Sequence, residues 1–464
     1  MNGILGSLAA LFPSALAGYA LLHVIDRKRT LFFIEKCALG FGLGLGCLSW
    51  TMLCSQLAGI RYSLVHLAVP LAFPALTVAV TFLGNLRIHH GKFPPPRQKL
   101  LLKGTSLRGW DYVLLIGIGF EMAHAFFRAW IRPMEAYDAV SNWGLKAKAI
   151  YLASGIPIDF LQNPDYREFH PDYPPLVPLL ESAVYQFLGT VNDTASKTLF
   201  PLFLLSCVTL FWACLRRAEL PPSRALAFTF MLSSIPYFTS QATNGYADGV
   251  VSFYFGAGSL YLYLYLWHRS RDPLLLVISA LLTGLATLTK NEGILLAGIQ
   301  SLVLGLVLAS ARDMAARRSR LKIFAAHLGI LSAILLPWFL LRVDLNLAND
   351  VTSGAVLRWG QIGRLGSMLY FYQTQVFGLR NWNLVWILFL GLLVWNWRGW
   401  LHSSARPLIL TVLLALVAYN GIYMITPHDV MWHLRTSGSR LLLHILPQVM
   451  FLIALAFEET GKKP

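Results

Sequence analysis

Glu135-Ala-Tyr-Asp138-Ala-Val-Ser-Asn-Trp143-Gly-Leu-Lys146-Ala-Lys148 comes directly after an apolar run, 110–131, that is long enough to cross a bilayer. Further along, His170-Pro-Asp172-Tyr173-Pro-Pro leads the chain into its next apolar segment. Acids, ammonium groups and aromatics are thus crowded where a membrane-length run ends. Charge at membrane depth is costly and is retained for function, so this arrangement predicts chemistry at one face of a membrane.

The composition agrees. Of 464 residues, 56% are hydrophobic and 13% charged, whereas soluble domains carry about 25% charged residues. The formal net charge of +16 would suit a nucleic-acid partner. In a membrane protein, cytoplasmic Lys and Arg and the attraction of anionic lipids account for it more simply, and no nucleic-acid partner is expected. The five cysteines (Cys37, Cys47, Cys54, Cys207 and Cys214) lie in apolar runs without metal-ligand spacing, so they read as small core residues.

Apolar runs near the length of about 20 residues that a helix needs to span a bilayer occur at 3–25, 31–58, 64–86, 110–131, 197–215, 223–243, 249–267, 273–289, 293–310, 323–341, 383–397, 407–425 and 441–457. The expected fold is all-α and polytopic, with about 13 transmembrane helices. Arg27-Lys28-Arg29, Arg87 to Arg108, Arg216-Arg217, His268-Arg269, Arg312 to Lys322, Arg398 and Lys462-Lys463 alternate onto one side. The positive-inside rule makes that side cytoplasmic. The 132–196 loop, 244–248, 290–292, the second outer loop 342–382 and 427–440 then fall outside, with most of the acids and Asn. The segment 174–189 is short for a span and reads as a juxtamembrane or re-entrant helix. Residues 1–109 form three helices and a basic linker with Pro94-Pro95-Pro96, and 110–464 forms the module that carries the charged loops.

Asp138 follows a helix end with Tyr137 and Trp143 beside it and Lys146 and Lys148 beyond. A carboxylate there suits a general base for a hydroxyl, against the alternative of a helix cap. Glu135 is a second acid in the same loop. Lys146 lies three residues after Trp143 and shares its face, whereas Lys148 does not face the same way; interfacial snorkelling is the alternative for either. His170 and Tyr173 sit in a segment stiffened by prolines, where His170 suits a phosphate or hydroxyl. Thr243-Asn244-Gly-Tyr246-Ala-Asp248 ends one apolar run, and Lys290-Asn291-Glu292 interrupts another. Charges at such depth belong to a wet cavity or pair with one another. His433-Leu-Arg435-Thr-Ser-Gly-Ser-Arg440 combines two guanidinium forks with hydroxyls, which suits a phosphate.

Asp138…Trp143…Lys146-Ala-Lys148, His170-Pro-Asp-Tyr-Pro-Pro-Leu, Gly245-Tyr-Ala-Asp248, Leu288-Thr-Lys-Asn-Glu-Gly293 and Arg435-Thr-Ser-Gly-Ser-Arg440 occur in that order over residues 110–445. Taken together, the set resembles the GT-C glycosyltransferase superfamily and, more narrowly, its bacterial family 39-type members, which are like the dolichyl-phosphate-mannose-protein mannosyltransferases. The resemblance implies a multi-pass enzyme of the bacterial inner membrane working at the periplasmic face. Its donor would be a polyprenyl-phosphate-linked sugar and its acceptor a lipid, glycan or protein hydroxyl. Asp138 matches the acid that activates the acceptor, Asp248 a second acid, and Lys290 a lysine near the lipid phosphate. Glu135-Ala-Tyr-Asp138 is looser than the family's acidic pair, which leaves open the part of Glu135 and the need for a divalent cation such as Mg or Mn.

In the mechanism that this implies, Lys290, Arg435, Arg440, Lys146 and His170 hold the donor phosphate, and Asp138 deprotonates the acceptor for inverting attack. Trp143, Tyr173, Tyr246 and Trp432 stack on sugar faces, with Asn291 and Glu292 beside them. Two rival functions share the donor class. A flippase for lipid-linked sugars would favour paired inverted repeats, and none is visible. An O-antigen ligase or polymerase would centre on the arginines of the 342–382 loop: Arg342, Arg358, Arg364 and Arg380.

Overall fold

The computed structural model describes residues 2–65, 108–267, 272–310, 317–347, 349 and 363–460. Most of the expected span at 64–86, most of the basic stretch 87–109, His268-Arg269, part of the 312–322 stretch, Arg358 and Lys462-Lys463 lie outside the described residues. All regular structure among the described residues is helical. Eight of these helices are long and apolar enough to cross a membrane, and a ninth arises if Val430–His444 and Leu446–Glu458, bent by 50°, count as one span.

The remaining expected spans take other forms. The run 223–243 divides into Pro222–Ser233 and Pro236–Gln241, because a residue that precedes proline is pushed out of the helical region. Pro273–Thr287 has 15 residues. Val385–His402 departs from helical geometry at Asn396 and carries Arg398 in its polar second half.

The chain divides into two compact units. The first comprises Met1–Phe160, Pro175–Ala227 and Ala242–Tyr246. It contains α1 (Asn2–Ile25), α2 (Phe33–Leu57), α3 (Gly109–Ile131), α4 (Leu145–Ala153), α5 (Leu176–Leu188) and α6 (Leu199–Arg217). Helices α1 and α2 meet backbone to backbone. A Cβ on Gly18 would run into Gly40, and one on Gly44 into Ser14, so the Gly40/Gly44 spacing acts as a small-residue seam. At one end, Lys36 pairs with Asp26 at 2.8 Å, and Arg217 grips Glu35 at 2.7 Å and the Thr30 carbonyl. The basic segments 27–29 and 216–217, assigned to one membrane side by charge alone, therefore lie at the same end of this unit. At about 1.5 Å per residue, α5 is too short to span. Residues Leu176 to Tyr185 of α5 are all buried, against α1, α2 and α4.

The second unit comprises Leu161–Pro174, Phe228–Gln241 and Ala247–Pro464. Its main helices are α7 (Asp248–Trp267), α8 (Pro273–Thr287), α9 (Asn291–Ala309), α10 (Arg317–Asp344), α11 (Gly363–Val376), α12 (Val385–His402), α13 (Arg406–Ile425), α14 (Ser439–His444) and α15 (Leu446–Thr460). Helix α7 packs on α8, α14 and α15, and α8 also on α9 and α10. Gln300 of α9 donates to Ser279 (3.0 Å) and Thr283 (2.7 Å) of α8 and accepts from Ser259 (3.1 Å) of α7. Gln448 of α15 joins through Ser259 at 3.3 Å. Apolar side chains slide past one another in lipid, so such a network fixes register, each bond contributing about 0.6 kcal/mol. With the four helices held, the first residues of α7 and α9 end up beside α14.

Candidate functional site

The second unit gathers its charges where α7, α9 and α14 meet. Asp248, the first residue of α7, accepts from Lys290 Nζ at 2.8 Å, and Lys290 also contacts Glu292 at 3.0 Å. Arg440 NH1 lies 3.7 Å from the other oxygen of Asp248. His444 Nε2 is 3.0 Å from Asp248 Oδ1, and its Nδ1 is 3.2 Å from the Tyr419 hydroxyl. The Nε2–H form satisfies both ends, donating to the carboxylate and accepting from the phenol. Asp248 and His444 are fully buried. Lys290 is the residue at which the chain turns into α9, with an extended backbone (φ −154°, ψ 161°). Burial works against its charge, but the carboxylates of Asp248 and Glu292 prevail and hold its pKa above the ordinary lysine value. Two acids and two cations balance each other here, beside the N-terminal ends of two long helices, where backbone N–H groups favour an incoming anion.

The segment 161–174 brings aromatics to this cluster. Tyr173 donates its N–H to the His170 carbonyl (3.0 Å), closing a turn in which His170 takes φ +49°. The His170 ring stacks on Tyr173 at 4.6 Å, and Lys290 Nζ stands 5.7 Å from the Tyr173 ring centre. Asn291 donates to Asp172 at 2.6 Å.

The motif 433–440 divides its work. Residues 434–438 form a π-helical turn, a geometry often found at functional sites. Its hydroxyls serve packing: Ser437 meets Tyr423 at 2.8 Å, Ser439 donates to Gln375 at 2.8 Å, and Thr436 donates to the Trp432 carbonyl. Gly438 lies so close to the Phe371 ring that a Cβ would collide with it. Expected as phosphate ligands, these small residues instead seat the turn on α11 and α13. Arg440 points to Asp248, whereas Arg435 and Trp432 are exposed. In the second outer loop, Arg364 is buried and donates to the carbonyls of Tyr423, Met424 and Thr426 at the end of α13. Arg380 is exposed.

The first unit holds the other candidates. Asp138 is half-buried and precedes a π-helical turn, Ala139–Gly144, which its side chain does not cap. Trp143 and Lys146 are both buried. Lys146 donates to Asn142 at 2.7 Å, and its ammonium is 5.6 Å from the Trp143 ring centre. Lys148 instead pairs with Asp193 at 2.9 Å, so the two lysines part company as their spacing predicts. Glu135 is exposed and Tyr246 half-exposed. Gly245, at φ +86°, presses against Ala139 and Met134; only glycine takes both that backbone and that approach without strain.

Asp248, Lys290, Glu292 and Arg440 are thus brought together, with Tyr173, His170 and Asn291 alongside. In the sequence, His444 and Tyr419 both read as members of apolar runs. His444 is four residues after Arg440, a spacing that places both on one helical face. Among the described residues, no three His, Cys, Asp or Glu gather to hold a metal ion, and both acids of the cluster already contact Lys290. These residues do not make a divalent-cation site.

No protein-family model matches the sequence, and no curated protein matches it. Among solved structures, the fold is similar to that of ArnT from Cupriavidus metallidurans bound to undecaprenyl phosphate, with a TM-score of 0.52 and 15% identity. The apo form of ArnT from that organism gives a TM-score of 0.51 at 14% identity. Each likeness covers 76% of this chain but only 61% and 62% of those two chains. At such identity the likeness is one of fold. The chain is a multi-pass membrane protein, helical throughout the regular structure of its described residues, with a fold similar to that of ArnT.

Proposed function

We propose that this protein is an integral membrane glycosyltransferase that moves a sugar from a polyprenyl-phosphate-linked donor to an acceptor hydroxyl. The observation that carries the reading is the buried Lys290, held between Asp248 and Glu292 with Arg440 and the Tyr173 ring nearby. The likeness in fold to a protein crystallised with undecaprenyl phosphate supports a polyprenyl phosphate as the ligand of this cluster. An ammonium has three donors, and Asp248 and Glu292 engage two of them.

In this reading, Lys290 and Arg440 meet the donor phosphate, and Asp248, Glu292 and His444 keep both cations in place. Tyr173 and His170 offer ring faces to the sugar. Asp138 accepts the proton of the acceptor hydroxyl as its oxygen attacks the anomeric carbon. The bond from that carbon to the phosphate oxygen breaks with its electron pair, the polyprenyl phosphate departs, and the configuration inverts. Lys290 stabilises the charge that develops on the leaving oxygen, a contribution worth several kcal/mol in a water-poor site, roughly 3–4 by analogy with oxyanion donors. The charge alternation of the loops supports a periplasmic position for this site in a bacterial inner membrane.

Protein reconstituted in lipid and given polyprenyl-phosphate sugars with candidate acceptors should transfer sugar. Asp138→Asn should abolish transfer while undecaprenyl phosphate still binds, and Lys290→Met should weaken that binding. Movement of the lipid-linked sugar across the bilayer without transfer would instead favour a flippase, and full activity in Asp138→Asn would remove that residue from the mechanism.

A further inference from the structure

Asp172 is 1% exposed, yet it lies in an irregular segment between two prolines. One carboxylate oxygen, Oδ2, accepts from Asn291 Nδ2 at 2.6 Å and from Asn349 Nδ2 at 2.8 Å, with Arg342 NH2 at 3.9 Å. Arg342 NH1 in turn donates to Asn291 Oδ1 at 3.4 Å. Two other pieces of the second unit therefore close on this carboxylate of segment 161–174: the first residue of α9, and the chain at and beyond the end of α10. Gln162, in the same segment, adds a bond to the Leu345 carbonyl at 3.3 Å.

Two consequences follow from chain geometry. Asn291 directly follows Lys290, whose side chain provides no cap for α9, so the Asp172–Asn291 bond holds the turn on which Lys290 sits. Tyr173 directly follows Asp172, so the same bond sets where the Tyr173 ring stands below the Lys290 ammonium. Bonds to an ionised acceptor are about twice as strong as neutral ones, which suits a carboxylate to this fastening.

We propose that Asp172 is a positioning residue: it ties segment 161–174 to α9 and α10 and thereby fixes Lys290 and Tyr173 relative to each other for the donor phosphate. The donor part of this statement rests on the transferase reading above; the tie itself does not. Asp172 acts through Asn291 and Tyr173, because its Oδ2 already accepts from two amides, with the Arg342 guanidinium 3.9 Å away.

The test uses full-length protein in lipid nanodiscs, with undecaprenyl phosphate as the probe, and the variants Asp172→Leu, Asp172→Asn and Tyr173→Leu. Asparagine keeps an acceptor oxygen for the two amides and loses only the charge; leucine removes both. Hydrogen–deuterium exchange of peptides covering 161–174 and 288–294 should rise in Asp172→Leu and stay near wild type in Asp172→Asn. Undecaprenyl phosphate binding should weaken about tenfold in Asp172→Leu, the scale expected for one lost hydrogen bond to a charged group, and largely recover in Asp172→Asn. Tyr173→Leu should weaken binding with exchange at 288–294 unchanged. Combining it with Asp172→Leu should add little, because both changes act on one arrangement.

Unchanged exchange and unchanged binding in Asp172→Leu would overturn the proposal. So would an Asp172→Asn variant as poor in binding as Asp172→Leu while its exchange stays at wild-type level, since the charge would then act directly. A wild-type chain that binds no undecaprenyl phosphate would end the transferase reading, and the exchange response would still decide whether Asp172 makes the tie.

Discussion

Replacing Lys290 with methionine keeps length and apolar bulk but removes the cation between two buried acids. Nζ lies 2.8 Å from Asp248 and 3.0 Å from Glu292, with side-chain exposures of 4%, 0% and 16% for Lys290, Asp248 and Glu292. At an effective dielectric near 20, each contact is worth about 5–6 kcal/mol of attraction, most of it offset by taking the three charges out of water. Once the cation is gone, Asp248 keeps only Arg440 at 3.7 Å and His444 at 3.0 Å, and the desolvation of both acids loses most of its compensation. Removing one partner of a buried pair costs about 3–5 kcal/mol, and that is the expected loss for Lys290→Met. Asp248→Asn should cost less, because Lys290 keeps Glu292. The double variant should be less destabilised than the sum of the two by about 2 kcal/mol, since one stranded charge is removed with the other. Equilibrium unfolding in mixed micelles with rising SDS measures all three variants. A loss below about 1 kcal/mol for Lys290→Met, or additivity within about 0.5 kcal/mol, would refute the view that these charges exist in mutual dependence.

Further tests address charge and packing elsewhere. Burial foremost, then the nearby charge of Asp193, pushes the Glu181 carboxyl well above its ordinary value of 4.5. The unfolded chain therefore ionises first, and stability falls as pH rises above that ordinary value. Glu181→Gln should match wild type near pH 4 and melt higher near pH 8; parallel melting profiles at the two pH values would contradict this. Lys290, whose pKa is raised above 10.5, contributes stability that is complete below that ordinary value and lost only as pH rises through its folded pKa. A pH–rate profile should accordingly show no basic limb from this residue below 10.5, and Lys290→Arg should leave the profile's shape unchanged there. Arg364→Met strands three carbonyls at the end of α13 at about 1–3 kcal/mol each for those that water does not reach. Arg364→Lys should recover only part of that loss in the same unfolding assay, because an ammonium lacks the guanidinium fork.

Much of this arrangement was legible because charge in an apolar sequence is conspicuous. Asp248, Lys290, Glu292 and Arg440 stand out as ionisable residues at the ends of runs rich in Leu, Val and Tyr, and the structure brings them into one cluster. The parting of Lys146 from Lys148 was readable from helical phase. Other residues depended on long-range geometry. His444 takes its meaning from Asp248, 196 positions away. Asp172 takes its meaning from Asn291 and Asn349, 119 and 177 positions away. Ser437 and Ser439 misled in the opposite direction. Hydroxyls beside arginines fit a phosphate in sequence, but neighbouring helices compete for the same bonds. Span counting was strained by Pro236 and Asn396, since an apolar run does not reveal where its helix breaks.

The π-helical turn after Asp138 has a bearing on how this loop tolerates change. A turn of this type holds one residue more than an α-helical turn, so residues on either side are out of phase with each other by about 100° relative to a regular helix. Point substitutions within 139–144 leave that offset in place. Shortening the segment by one residue would cancel it and swing Asp138 and Lys146 onto new bearings together. Within this stretch, changes in chain length are therefore far more disruptive than changes in side-chain identity.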